Sequence, residues 1–227
     1  MNIQLVVFDM AGTTIQDDDA VNRCLREALA AGGVEVCRDE VNAVMGLPKP
    51  EAIAALWAAK QPGAPPPPAE RVETLHREFL RRMIEFYRRD PSVEPMPGAE
   101  ECFTRLKRRG LRLALDTGFS RDIVQVILHR LGWDVPGFLD ATVASDEVPR
   151  GRPHPDLIFE AMRRTGVASP LAVAKVGDTP ADLREGAAAG CALVIGVTNG
   201  THTRAQLAAH PHTHLIASLA ELPALLT

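Results

Sequence analysis

Aromatic side chains are scarce in this chain: they make up 4% of its 227 residues, with a single tyrosine. That scarcity argues against a platform for stacking nucleobases. Charge of one sign is missing too. The 25 Lys and Arg offset 29 Asp and Glu, leaving a formal net charge of -4 and no basic footprint for nucleic acid. No apolar run reaches the roughly 18 residues that a membrane span needs, and the apolar start, MNIQLVVFDM, is shorter than the core of a signal sequence. The four cysteines (Cys24, Cys37, Cys102, Cys191) show neither C-x-x-C nor Cys/His ligand spacing. They predict reduced thiols in a cytoplasmic protein, not a disulfide framework. Hydrophobic residues at 46% and charged residues at 24% are ordinary for a globular chain, and this length can bury a core without a metal or disulfide staple.

Short apolar runs recur along the chain. Ile3 to Phe8 predicts a buried strand ended by Asp9 and a glycine-containing turn. Similar runs cover Leu111 to Leu115, Ala141 to Ala144, Ala172 to Val176, Ala192 to Val197 and Thr213 to Ile216. Helical patterns separate them, over Gly98 to Arg109, Ser120 to Leu131, Pro155 to Thr165 and Thr179 to Ala189. This alternation predicts an α/β fold, a doubly wound parallel sheet with helices on both faces. Residues 17–92 break it, with helical stretches only: Ala20 to Ala31, Asp39 to Met45, Pro50 to Lys60 and Ala69 to Arg89. The run Pro65 to Pro68 is a stiff connector between the last two. The expected organisation is therefore a core of residues 1–16 and 93–227 with an inserted all-helical cap over 17–92.

Four segments carry candidate chemistry: Asp9-Met10-Ala11-Gly12-Thr13-Thr14, Asp116-Thr117-Gly118, Gly151-Arg152-Pro153 and Gly177-Asp178-Thr179-Pro180-Ala181-Asp182. Three end predicted strands and one precedes a helix, so a parallel sheet would bring them to one crevice. Singly, each has a plainer reading: a strand-terminal Asp as a turn or cap, Thr117 as a helix cap, Arg152 as a surface charge. Together, carboxylates, a hydroxyl, a guanidinium and free backbone amides suit phosphoryl chemistry. Carboxylates hold Mg²⁺, cationic groups neutralise phosphoryl oxygens, and one carboxylate can serve as nucleophile.

These segments resemble the haloacid dehalogenase superfamily of aspartate-nucleophile phosphohydrolases, over nearly the whole chain. Ala11 stands where most members carry an acid, and Arg152 where most carry a lysine. Both features, with Met45-Gly46-Leu47-Pro48-Lys49 in the helical segment, are similar to the phosphonoacetaldehyde hydrolase branch, as are Val148 to Pro155 and Lys175 to Gly190. The resemblance implies Asp9, Lys49 and Arg152 as catalytic residues. It implies Met10, Ala11, Thr117, Gly118 and Arg152 as the phosphoryl-binding set. It also implies Mg²⁺ held by Asp9, Asp178 and the Ala11 carbonyl, with Asp182 behind them. Lys49 would form a Schiff base with a substrate aldehyde; the bland alternative is a solvated lysine between Pro48 and Pro50. Three positions depart from that branch: Ala52 replaces a histidine, Asp19 a cysteine and Phe119 a tyrosine.

The expected function is Mg²⁺-dependent cleavage of a small aldehyde phosphonate. The alternatives are a phosphomonoesterase on the same fold and a non-catalytic binder of phosphorylated ligands. The expected partner is a small phosphonate or phosphate, not nucleic acid or membrane, and a homodimer is left open. His210, His212 and His214 predict a solvated loop entering the last strand, not a metal site. The mixed Arg and Glu of residues 70–89 predict an ion-paired helix surface.

Overall fold

A computed structural model describes residues 2–63 and 65–226. Six strands form one parallel sheet: β1 (Leu5–Phe8), β2 (Arg112–Asp116), β3 (Ala141–Val143), β4 (Val173–Gly177), β5 (Leu193–Val197) and β6 (His214–Ile216). Their order is β3-β2-β1-β4-β5-β6. The winding reverses between β1 and β4, where an open α/β sheet leaves a crevice at the carboxyl ends of its strands. Register aligns Phe8 with Leu115 on one side and with Val176 on the other. Asp9, Asp116 and Asp178 thus reach the same end of the sheet.

The strands are apolar on both faces because both are covered. Alternation sends Val6 and Phe8 to one layer with Leu113, Leu115, Val176 and Ile195. Leu5 and Val7 go to the other, with Ala114, Val173 and residues Leu157, Ile158 and Ala161. Helices α5 (Ala99–Arg108), α6 (Arg121–Leu131), α7 (Asp156–Thr165), α8 (Pro180–Ala189), α9 (Arg204–Ala208) and α10 (Leu222–Leu225) fall after β1 in chain order, between and beyond the strands. The elements match the sequence expectations to within a residue or two at most ends.

Between β1 and α5 the described residues form four helices and no strand of the sheet: α1 (Ala20–Ala31), α2 (Arg38–Asn42), α3 (Lys49–Lys60) and α4 (Ala69–Arg89). Helix α2 is shorter than the predicted Asp39 to Met45: beyond Asn42 the Val44 and Met45 N–H groups bond back three residues, to Val41 O at 3.1 Å and Asn42 O at 3.2 Å, so tight turns replace the helix ahead of Gly46. In α4, Leu75, Phe79, Met83 and Tyr87 recur every fourth residue and form one buried stripe. The opposite faces carry Arg77–Glu73, Arg81–Glu78, Arg82–Glu78 and Arg89–Glu85 ion pairs, so the charge run is a paired surface as expected. The chain enters and leaves this insertion side by side: Gln16 N–H donates to Glu94 O at 3.0 Å and Met96 N–H to Thr14 O at 2.8 Å.

One apolar cluster runs without a break from the insertion into the sheet layer, joining Val21, Ile53, Phe79 and Met83 to Phe8, Leu115 and Phe119. All four cysteines are free, and burial pushes the Cys24 and Cys102 thiols up to about 11 and about 12, which makes them poor nucleophiles. His210, His212 and His214 lie at the half-exposed to exposed lead-in to β6. Among the described residues no helix is long and apolar enough to cross a membrane.

Phe79 is fully buried in the cluster that joins the insertion to the sheet. Replacing it with alanine should cost about 3–5 kcal/mol of unfolding free energy. Urea denaturation checks this; a loss below about 1 kcal/mol would mean that the two layers do not share a packed core.

Candidate active site

The site grows from strand ends. Asp9 follows β1 directly, and its N–H still donates to Val176 O at 2.9 Å, so the ladder fixes where its side chain emerges. The chain then turns back on itself: Thr13, Thr14 and Ile15 N–H groups all converge on the Met10 carbonyl, at 2.8 to 3.2 Å. Gly12 makes this turn possible. Its φ is 85°, and a Cβ there would sit 2.5 Å from Asp178 Oδ2. The turn delivers Thr13 Oγ1, which donates to Asp178 Oδ1 at 2.9 Å. Asp178 Oδ2 accepts the Thr201 N–H at 2.6 Å. At the start of α8, Thr179 and Asp182 form a reciprocal cap: Thr179 Oγ1 donates to Asp182 Oδ2 at 2.6 Å, and Asp182 N–H returns to Thr179 Oγ1 at 3.3 Å.

Arg152 is the hub. It is 1% exposed, and each guanidinium nitrogen already faces protein oxygen. Nη1 donates to Asp9 Oδ1 at 2.6 Å and lies 3.1 Å from Asp182 Oδ1. Nε donates to Glu185 Oε2 at 2.9 Å, and Nη2 to the Asp116 carbonyl at 2.9 Å and to the Asp116 carboxylate. Lys175, on β4, sits behind it. Its ammonium meets Asp116, Glu185 at 3.0 Å and Asp182 at 3.2 Å.

The plain reading of Arg152 as a surface charge therefore fails. So does that of Lys49, which is 4% exposed. It begins α3, its Nζ donates to Leu47 O at 3.4 Å, and it lies over the rings of Phe119 (5.4 Å) and Phe79 (5.9 Å). Burial lowers its ammonium from the usual value to about 8. Thr117 is not the cap of α6 either, since Ser120 holds that position; Thr117 Oγ1 accepts the Phe119 N–H at 3.2 Å. A Cβ on Gly118 would stand 2.8 Å from Leu47 O, so glycine there lets the insertion come down onto the sheet end.

These groups enclose a cavity of about 20 Å³, lined by Asp9, Ala11, Asp17, Lys49, Thr117, Gly118, Arg152 and others. Of the residues expected at the site, the structure brings together Asp9, Ala11, Lys49, Thr117, Gly118 and Arg152 around the cavity, with Asp178 and Asp182 directly behind. Met10 is not among the lining residues; its side chain is fully buried in the apolar core. Lys175, Glu185 and Thr13 join the site without a role foreseen from the sequence, and Asp116 is foreseen only as part of its segment. The signal for Lys175 is a lone charge inside an apolar central strand, and for Glu185 its place three residues after Asp182 on one helix face.

The charges do not balance. Five carboxylates (Asp9, Asp116, Asp178, Asp182, Glu185) are buried with two cations, Arg152 and Lys175. Asp116 Oδ2 and Glu185 Oε1 are buried with no hydrogen-bond partner. Burial, then the charges of Asp9 and Asp182, raise Asp178 to about 7. Burial likewise raises Asp9, with the Asp182 charge adding to it, and raises Glu185 with Asp116 adding. Asp182 goes the other way: burial opposes ionisation, but Arg152 and Lys175 outweigh it. Oxygens of Asp9, Asp178 and Asp182 lie within 4.8 Å of one another, a hard-donor set with surplus negative charge that fits a divalent cation such as Mg²⁺. The second acidic group, Asp116, Asp182 and Glu185, already has Lys175 and Arg152 between its members.

Three outcomes follow from this charge pattern. Because the folded-state value of Asp178 is raised, the metal-free fold holds a proton there that the unfolded chain releases from about 3.8 upward. Its contribution is therefore lost as pH rises from about 3.8 to about 7. The Tm advantage of Asp178→Asn over the unsubstituted protein should grow across that window and then level off. Saturating Mg²⁺ should reverse the order by stabilising only the unsubstituted protein. Thermal melts at several pH values check both, and a constant Tm difference would refute the assignment. Lys175→Met strips a cation from buried carboxylates and should cost about 3–5 kcal/mol in denaturant unfolding.

A sequence profile of haloacid dehalogenase-like hydrolases matches residues 3–190. The chain is 31% identical over 198 residues to a phosphonoacetaldehyde hydrolase of Bordetella pertussis, covering 84% of this chain and 71% of that protein. Its fold is similar to a phosphonoacetaldehyde hydrolase-like protein from Oleispira antarctica, with TM-score 0.82 at 22% identity over 100% of this chain and 92% of the other. It is also similar to a predicted phosphoglycolate phosphatase from Haemophilus somnus, with TM-score 0.81 at 21% identity over 100% and 99%. A strand-end aspartate beside a buried guanidinium and a hard-oxygen acidic cluster is the chemistry to be expected of such proteins, and with the profile match it establishes that this chain belongs to the haloacid dehalogenase-like hydrolases, as a phosphohydrolase enzyme.

Proposed function

We propose that the chain hydrolyses the C–P bond of a small aldehyde phosphonate, phosphonoacetaldehyde or a close analogue, with Asp9 as nucleophile and Lys49 as Schiff-base residue. One observation carries this reading: a buried amine and a buried carboxylate line the same cavity. Ala11 supports it. It offers no acid to protonate a departing alcohol oxygen, which a phosphate ester needs and a C–P bond does not.

In this mechanism residues 17–92 act as a cap that carries Lys49 to the core formed by 1–16 and 93–227. The neutral Lys49 amine attacks the aldehyde carbon, water leaves, and an iminium forms. An Asp9 carboxylate oxygen then attacks phosphorus. The C–P bond breaks, and its electron pair passes into the iminium to give an enamine. Water hydrolyses the aspartyl phosphate and restores Asp9. Protonation of the enamine carbon, then hydrolysis of the imine, releases acetaldehyde and frees Lys49. Asp9, Asp178, the Ala11 carbonyl and, behind them, Asp182 would hold Mg²⁺, which supplies positive charge against the phosphoryl oxygens. Thr117 and Gly118 meet those oxygens from the β2 side. Arg152, with its nitrogens committed to carboxylates, holds Asp9 in line and adds charge beside phosphorus.

Borohydride in the presence of phosphonoacetaldehyde should reduce the imine and fix about two carbons of substrate to Lys49, seen by peptide mass mapping. Lys49→Arg keeps a charge but cannot form the imine. It should lose at least about 10³-fold in phosphonate turnover while still binding inorganic phosphate. If the unsubstituted enzyme is not trapped, and Lys49→Arg hydrolyses phosphoglycolate or a sugar phosphate at an unchanged rate, the phosphomonoesterase reading replaces this one.

A further inference from the structure

The cap side of the cavity holds polar groups that the phosphoryl half of the mechanism leaves unused. Lys49 Nζ has a single long hydrogen bond, to Leu47 O at 3.4 Å, and otherwise faces the rings of Phe79 and Phe119. Asp17 lines the same cavity, where the chain leaves the β1 loop for α1. Its Oδ1 accepts the Val21 N–H at 3.0 Å, which pins the carboxylate to the first turn of that helix. Tyr87, from α4, packs edge-on against Phe119 with centroids 6.0 Å apart, so Phe119 touches both Tyr87 and Lys49. Tyr87 is 1% exposed, and its hydroxyl has no hydrogen-bond partner. Leaving a buried hydroxyl unpaired costs about 1–3 kcal/mol, and such orphans often mark a place completed by a ligand. Tyr87 reaches the cavity through Phe119, which lines it.

Resting on the Schiff-base reading of Lys49, we propose that Asp17 is the acid–base residue that moves protons between Lys49 and the substrate oxygen, and that the Tyr87 hydroxyl hydrogen-bonds that oxygen. The balance closes. The lysine ammonium carries three protons. Asp17 takes the first, and the freed lone pair attacks the carbonyl carbon while the C=O π pair moves to oxygen. Asp17 gives that proton to the oxygen, forming the carbinolamine. It then takes a second proton from nitrogen and passes it to the hydroxyl, which leaves as water. One proton stays on the iminium nitrogen, and Asp17 ends as the carboxylate it began. With Lys49 lowered by burial to about 8, only about one amine in ten is neutral at pH 7, so a base beside it matters. His76 is the other titratable group near Lys49 on α4. It stacks on Phe79 with centroids 6.5 Å apart, and neither of these lines the cavity, whereas Tyr87 packs on Phe119, which does.

Single-turnover borohydride trapping of the full-length enzyme with phosphonoacetaldehyde measures imine formation directly. Asp17→Asn should slow it by about 100-fold and Tyr87→Phe by about 10-fold, with Asp17→Glu recovering part of the loss. His76→Gln should match the unsubstituted rate, and inhibition by inorganic phosphate should stay within about twofold in every variant. Trapping of Asp17→Asn at the unsubstituted rate, or a loss carried by His76→Gln, overturns the proposal and leaves the Schiff base intact. An unsubstituted enzyme that is never trapped overturns both. Should Asp17→Asn fail to fold, Tyr87→Phe decides the matter through the same rate, because it removes one oxygen from an unpaired position.

Discussion

The buried Arg152 guanidinium lies among four carboxylates, and the geometry of the catalytic end follows from how its nitrogens are shared. Asp9 and Asp182 take Nη1, Glu185 takes Nε and Asp116 takes Nη2. A planar fork of this kind fixes direction as well as charge. It therefore orients Asp9 from the side while the β1 ladder orients it from below. Lys175 supplies the second cation that lets Asp116 and Glu185 remain buried beside it. A buried ion network is a weak source of stability, since desolvation consumes most of the Coulomb gain. Its value here is positional.

Even with both cations in place, the cluster holds more carboxylates than it can keep ionised, and the raised values of Asp9, Asp178 and Glu185 express that surplus. The strain is tolerable because the surrounding fold fixes it. Asp178 is held by Thr13 and the Thr201 amide, and Asp182 by its reciprocal cap with Thr179. A site in this condition suits a hard divalent cation, and also disfavours a vacant, fully ionised state at neutral pH.

The insertion contributes a different environment to the same cavity. Lys49, from α3, lies over Phe79 of α4 and over Phe119 from the loop after β2, and Tyr87 of α4 packs against Phe119. The contact is tight enough that Gly118 and Gly151 have no room for a side chain against Leu47 and Pro48. One side of the cavity is thus strongly anionic and the other largely aromatic. A lysine on the aromatic side loses hydration, and its ammonium is lowered as a result, although the charges of Asp9 and Asp17 act the other way.

Much of this arrangement was legible in the sequence. Apolar runs of strand length alternating with 3.6-periodic helices dictate a parallel sheet, and a parallel sheet sends Asp9, Asp116 and Asp178 to one end, since strand direction is all that requires. The helix-only patterning over 17–92 matches the four helices between β1 and α5. Helix α2 was overestimated because no Gly or Pro stands at its end, Asn42, and Gly46 is the first breaker in the sequence after it. The burial of Lys49 and Arg152 could not be read at all: a charge between prolines or before a helix looks the same in solvent as in a core. Nor could the pairing of Lys175 with Asp116, or of Tyr87 with Phe119, across 59 and 32 residues of chain. Local sequence determines which way a strand runs and where a helix begins, through dihedral preference and apolar period. Which charges share a desolvated space depends on distances set by packing between layers, and only the tertiary structure decides those.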